Sequence, residues 1–149
     1  MNCNTPIEFF ELFMNENIIS NIVTETNRYY QQLTATNPSP MKWTDTTPQE
    51  IKAFFGIMIA MGIANLPEID DYWAKDKVFH MPWFSTITAR DRFKQVLQYL
   101  HLNDNTKDVP KDSPDHDKLF KLGKIPDTLN NLFQEMYSPE KELSIEYIS

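Results

Sequence analysis

The chain has 149 residues, 41% hydrophobic and 13% aromatic, enough apolar matter for one packed domain or for one domain and a piece of a second. A net charge of −7 argues against a general electrostatic nucleic-acid binder, because such binding rests on Lys and Arg neutralising phosphates. Three glycines exclude a glycine-rich phosphate loop, and the single Cys3 excludes an intrachain disulfide or a cysteine zinc site and fits a reducing compartment.

Thr5-Pro6-Ile7-Glu8 reads as a helix start: an N-cap threonine, a proline at the first helical position and an acid three residues after the cap. Phe9, Phe10, Leu12 and Phe13 follow on a short amphipathic helix. Asn15 is expected to cap the next helix, in which Ile18, Ile19, Ile22, Val23, Thr26, Tyr29, Tyr30 and Leu33 recur at helical spacing while Glu16, Glu25, Arg28 and Gln32 face water. Residues 34–46, with Pro38 and Pro40, form a loop, and Trp43 near its end is expected to tuck against the third helix.

That third helix, Thr47–Ala64, repeats the threonine–proline–acid start and is apolar on nearly every side. Such a helix must be covered by other elements, so it is expected to be the buried axle of the domain, with Glu50 reaching back to close a capping box and Gly62 as its stop. Lys52 and the short apolar run argue against a membrane span, and the N-terminus shows no signal peptide. Downstream, Pro67, Asp70 and Asp71 suggest a short helix, and Met81-Pro82-Trp83-Phe84 a tight aromatic turn. Thr88 is expected to cap a helix with a buried stripe of Phe93, Val96, Leu97 and Leu100, ending around His101–Asn103.

Residues 104–117 are polar, contain Pro110 and Pro114 and lack an apolar period, so a mobile loop is expected there. Helical signal returns at Lys118–Leu122, is interrupted by Gly123, and restarts at Pro126 with Leu129, Leu132, Phe133 and Met136. Residues 142–149 alternate in the manner of a β-strand. A lone strand is unstable, so the chain reads as stopping where a sheet begins.

Four stretches in order resemble the piggyBac transposase family and its domesticated, transposable-element-derived members: PIEFFELFMNENIISNIVTETNRY, IKAFFGIMIAMGIANLPEIDDYW, ITARDRFKQVLQYLHLNDN and ELSIE. The resemblance covers nearly the whole chain. It implies a mainly α, multi-helix dimerisation and DNA-binding domain over residues 1–137, followed by the start of a truncated ribonuclease-H-like catalytic domain over 138–149. In the family three acids of that catalytic domain hold two divalent ions that activate a nucleophile. Glu146 stands where the resemblance implies the first of them, an aspartate; with the other two acids absent from these 149 residues, no catalytic residue, metal site or cofactor is expected. Gly123-Lys124 replaces the family's usual arginine and proline, and Gly123 is expected to weaken its helix by about 1 kcal/mol relative to alanine.

By segment, residues 1–40 carry −3, 41–84 carry −2, 85–102 carry +2 and 103–149 carry −4, so the one basic stretch is the place to look for phosphate contact. The DNA-binding candidates are Arg90, Arg92 and Lys94, with Lys121 and Lys124 from a second basic series that begins at Lys118. The alternative for both groups is a solvated helix face, Asp91 partnering the first. Trp73, Trp83 and Phe84 read as packing rather than base-stacking residues, Asp70 and Asp71 as helix-start acids, and His80, His101 and His116 as surface or loop histidines. The expected function is a non-catalytic, nuclear helical module that binds duplex DNA and forms a homodimer or pairs with other transposase-derived proteins. The alternatives are a protein-interaction module without DNA binding and a truncated remnant without function. An active transposase is the least favoured reading.

Overall fold

The structure, a computed structural model, describes residues 4–36, 42–76 and 80–136. These form six α-helices: α1 Pro6–Phe13, α2 Glu16–Thr36, α3 Pro48–Ala64, α4 Pro82–Ile87, α5 Arg90–Tyr99 and α6 Ile125–Met136. Short 3-10 turns lie at Ile69–Trp73, Asn105–Lys107 and Phe120–Leu122, and no strand occurs among the described residues. The expected strand and Glu146 fall outside them.

Local chemistry sets the helix starts. Thr5 and Glu8 close a full capping box on α1, with the Glu8 carboxylate accepting the Thr5 N–H at 3.0 Å. Asn15 Oδ1 accepts the Ile18 N–H at 3.0 Å at the head of α2. Thr47 Oγ1 accepts the Glu50 N–H at 3.2 Å on α3. Asn65, in the left-handed region at φ 49°, ends α3, while Gly62 lies inside the helix. Tyr72 then fastens that end: its hydroxyl donates to the Met61 carbonyl at 3.0 Å and accepts the Leu66 N–H at 2.8 Å.

The core lies where α2, α3 and α5 meet. Ile18, Ile19, Ile22 and Thr26 come from α2, Ile51, Phe54 and Ile57 from α3, and Phe93, Val96 and Tyr99 from α5. Each such apolar side chain stabilises by about 1.5–3 kcal/mol when withdrawn from water. Phe54 stacks on Phe93 at 5.0 Å, joining α3 to α5. Tyr72, Phe84 and Trp43 join the same buried cluster, Tyr72 and Phe84 meeting edge-on at 4.9 Å. On the flank, Phe13 of α1 meets Phe133 of α6 at 5.0 Å.

Several expectations are corrected. The axle is buried on one face only: Met58, Ile59 and Ile63 are exposed, Ile63 at 83%. Trp43 meets rings of two other helices, Tyr30 of α2 at 5.4 Å and Tyr99 of α5 at 5.3 Å. The stripe of α5 runs through Tyr99, not Leu97, which is 37% exposed, and the helix ends at Tyr99. Residues 82–87 form a helix rather than a turn. Thr88 does not cap α5: Ala89 occupies that position, and the Thr88 carbonyl accepts the Trp73 Nε1–H at 2.8 Å. Glu25 is buried rather than water-facing, held by Arg28 at 2.7 Å. His101 is half-buried, its ring stacked on Tyr29 at 3.5 Å.

Candidate nucleic-acid interface

A phosphate-binding side chain must bring a positive charge that the fold has not already neutralised. Arg92, on the first turn of α5, fails that condition. Its Nε donates to Glu50 Oε1 at 2.7 Å, and its Nη2 donates to Glu50 Oε2 at 2.6 Å and to the Thr44 carbonyl at 2.8 Å. The guanidinium lies over the Trp43 ring, 4.3 Å from its centroid. Forked pairing plus stacking on an aromatic face is the strongest use of an arginine inside a fold. Glu50 therefore does not close the expected box with Thr47; its carboxylate also accepts the Thr46 hydroxyl at 2.7 Å. Burial alone would raise the Glu50 carboxyl. The hydrogen bonds from Arg92 and Thr46 and the Arg92 charge outweigh it and hold the group below its ordinary value.

The loop carrying Trp43 and Thr46 is in turn clamped by Asn27 of α2. Asn27 Oδ1 accepts from Trp43 Nε1 at 3.2 Å and from the Thr46 N–H at 2.8 Å, and its Nδ2 donates to the Thr46 carbonyl at 3.1 Å. A polar residue on an otherwise periodic helix was the only trace of this clamp in the sequence.

Arg90 and Lys94 stand on the exposed side of α5, and acids face both. Arg90 pairs with Asp91 at 2.9 Å and with Asp70 at 3.9 Å; Lys94 pairs with Asp70. The Lys94 contact, ahead of an opposing desolvation effect, lowers the Asp70 carboxyl. The two cations and two acids cancel, so the basic stretch of α5 presents little net charge.

Lys121 and Lys124 differ. Both are exposed, and neither forms an ion pair among the described residues, nor do Lys111 and Lys118. Gly123 sets the path between Lys121 and Lys124. Its φ of 59° and ψ of −137° suit glycine alone, and a Cβ there would stand 3.0 Å from the Leu102 carbonyl oxygen. Gly123 therefore lies outside α6 and is required by the turn, contrary to the expectation of a weakened helix. Asn103 Nδ2 donates to the Phe120 carbonyl at 2.6 Å, and Asn21 Nδ2 to the Leu102 carbonyl at 2.9 Å, so this basic turn is moored to α2 and to the end of α5.

Residues 104–117 form a succession of tight turns. Asp104 accepts from Gln32 Nε2 at 2.9 Å, and from the Thr106 hydroxyl at 2.8 Å and N–H at 3.1 Å. These bonds, led by that of Gln32, hold its carboxyl down to about 2. Trp83 is 49% exposed, whereas Phe84 is buried and Trp73 half-buried beside it. No three His, Cys, Asp or Glu side chains converge as a metal site, and no helix is long and apolar enough to cross a membrane, among the described residues.

The chain shares this architecture with known proteins. A family model described as Transposase IS4 matches residues 5–147. The human PiggyBac transposable element-derived protein 5 is 26% identical over 137 residues, spanning 92% of this chain and 25% of the relative. The human PiggyBac transposable element-derived protein 2 is 34% identical over 103 residues, spanning 69% of this chain and 16% of the relative. A piggyBac transposase solved by cryo-EM in a synaptic complex with hairpin DNA superposes with a TM-score of 0.69 at 27% identity, covering 88% of this chain and 27% of that one. The chain thus spans a quarter or less of the length of these two human relatives. With the family model matched over residues 5–147 and the fold shared with the solved transposase, the chain belongs to the piggyBac-type transposase family and corresponds to an N-terminal portion of it.

Proposed function

We propose that these 149 residues are a DNA-associated helical module of transposase origin that performs no catalysis of its own and acts in the nucleus. The observation that carries the reading is the distribution of unneutralised charge: Lys121 and Lys124 stand exposed without an acid partner among the described residues, on a turn fixed by Gly123 and Asn103. The solved structural neighbour is itself a DNA complex, which supports the same reading. Two-metal strand cleavage needs acids converging on one point. Among the described residues no three acids converge on one point, and Glu8, Glu50 and Asp70 are engaged in a cap or in ion pairs.

The test is a gel shift with duplex DNA at low salt, alongside a nicking assay with magnesium or manganese. The expected result is a shift that the double variant Lys121→Gln/Lys124→Gln weakens markedly, with no strand breakage. A shift insensitive to that double variant, or breakage abolished by changing Glu146, would overturn the reading.

A protein-interaction role, as a homodimer or with other transposase-derived proteins, is the second reading. It is favoured by exposed apolar side chains on two adjacent helices, Ile7 and Phe9 on α1 and Ile59 and Ile63 on α3. Ile59 and Ile63 lie one helical turn apart on α3 and so share a face, and apolar side chains gathered on one exposed face mark contact surfaces. Sedimentation equilibrium of the wild type and Ile59→Lys decides it: self-association lost in the variant supports a dimer, and a monomer in both removes that form of the reading.

A further inference from the structure

Half of the described Lys and Arg side chains form ion pairs: Arg28, Lys52, Arg90, Arg92, Lys94 and Lys107. Of those that do not, Lys111, Lys118 and Lys121 line one hollow of about 360 Å³ between residues 108 and 121. Val109 and Phe120 supply its apolar wall. The lining carries one more positive than negative side-chain charge, and a low-dielectric wall focuses the field of such an excess. The hollow is also fastened. His116 Nδ1 bonds the Val109 carbonyl at 2.9 Å, the Ser113 N–H donates to the Pro110 carbonyl at 2.9 Å, and the Phe120 carbonyl is held by Asn103. Asp108 and Asp117 line it too, but neither lies within ion-pair distance of these lysines, and Asp117 Oδ1 is occupied by the Leu119 N–H at 2.8 Å.

We infer that Lys111, Lys118 and Lys121 make this hollow a phosphate-binding site. Resting on the DNA-associated reading, the phosphate is a phosphodiester of the duplex backbone. Lysine binds phosphate as a compact point charge, and three lysines against two aspartates in one lining leave an excess of positive charge that suits an oxyanion. The site differs from the sequence candidates: it adds Lys111 to Lys118 and Lys121 of the second basic series and leaves out Arg90, Arg92, Lys94 and Lys124.

The test follows backbone amide shifts by NMR as tripolyphosphate, and separately a short DNA duplex, is added to the wild type and to Lys111→Gln/Lys118→Gln. Duplex affinity is measured against salt in parallel. The expected result is that both ligands shift amides within residues 108–121 of the wild type. The variant then loses the tripolyphosphate response, and its duplex affinity falls roughly tenfold with a salt slope shallower by about 2. Duplex binding of unchanged affinity and slope in the variant overturns the hollow and leaves the DNA module standing. Tripolyphosphate shifts without duplex binding keep the hollow as a phosphate site and overturn the DNA module. Silence with both ligands overturns both.

Discussion

Arg92 and Glu50 face each other from different helices, separated by 42 residues of chain, with two charge-assisted hydrogen bonds of 2.7 and 2.6 Å and the Trp43 ring beneath the guanidinium. The pair ties the head of α5 to the head of α3 and pins the loop between α2 and α3. Hydrogen bonds to charged groups contribute about 1.5–3 kcal/mol each, and removing one partner strands the other. Arg92→Ala is therefore expected to lower stability by about 2–3 kcal/mol in a urea melt. Arg92→Lys recovers little of it, since an ammonium cannot reproduce the fork or the stacking. Full recovery by lysine would show that only the charge matters.

Gly62 and Gly123 are expected to respond oppositely to alanine. Gly62 lies inside α3 with nothing within 4 Å of an added Cβ, so Gly62→Ala stabilises by about 0.5–1 kcal/mol through helix propensity. Gly123 combines a positive φ with a backbone oxygen 3.0 Å from the Cβ position, so Gly123→Ala destabilises by about 1–3 kcal/mol. Thermal melts of the two variants check both signs.

Asp104 makes part of the stability depend on acid. Its carboxyl is held at about 2 in the folded chain, below the ordinary 3.8. A depressed carboxyl contributes stability that is fully present above the unfolded value and is lost as the pH falls through the folded one. The window is therefore from about pH 4 down to about pH 2. Denaturant midpoints across that window should fall less steeply in Asp104→Asn than in the wild type; identical slopes would show that the bonds from Gln32 and Thr106 do not favour the ionised form.

Charge cancellation on α5 makes a sharper prediction about binding. Arg90→Gln and Lys94→Gln remove cations that Asp70 and Asp91 already neutralise. Each is expected to change duplex affinity by less than about threefold, whereas Lys124→Gln lowers the salt slope by about 1. Fluorescence anisotropy on the three variants ranks them directly.

The starts of α1, α2 and α3 were legible because caps are local: Thr5, Asn15 and Thr47 each bond an N–H three residues on, and that spacing is written in the chain. The buried face of α2 was legible for the same reason. The far face of α3 was not: its composition says apolar, while exposure depends on which helices lie against it. The stripe of α5 turned by one position because Tyr99 meets Trp43 and Tyr30, contacts set by a loop more than fifty residues earlier. The candidate site shifted for a tertiary reason too. Sequence charge counts found +2 at residues 85–102, but Glu50 and Asp70, outside that segment, meet Arg92 and Lys94 in the fold. In residues 103–149 a net −4 concealed Lys111, Lys118, Lys121 and Lys124, which form no ion pair among the described residues.

Everything functional here depends on those unneutralised lysines, so the most direct measurement is duplex affinity of the wild-type chain against salt. The four lysines of residues 111–124 that form no ion pair among the described residues, Lys111, Lys118, Lys121 and Lys124, imply a log–log slope of about −3 to −4, or about a hundredfold loss of affinity between about 50 and 200 mM salt. Absence of binding at the low-salt end, or binding with a slope near zero, would contradict the account.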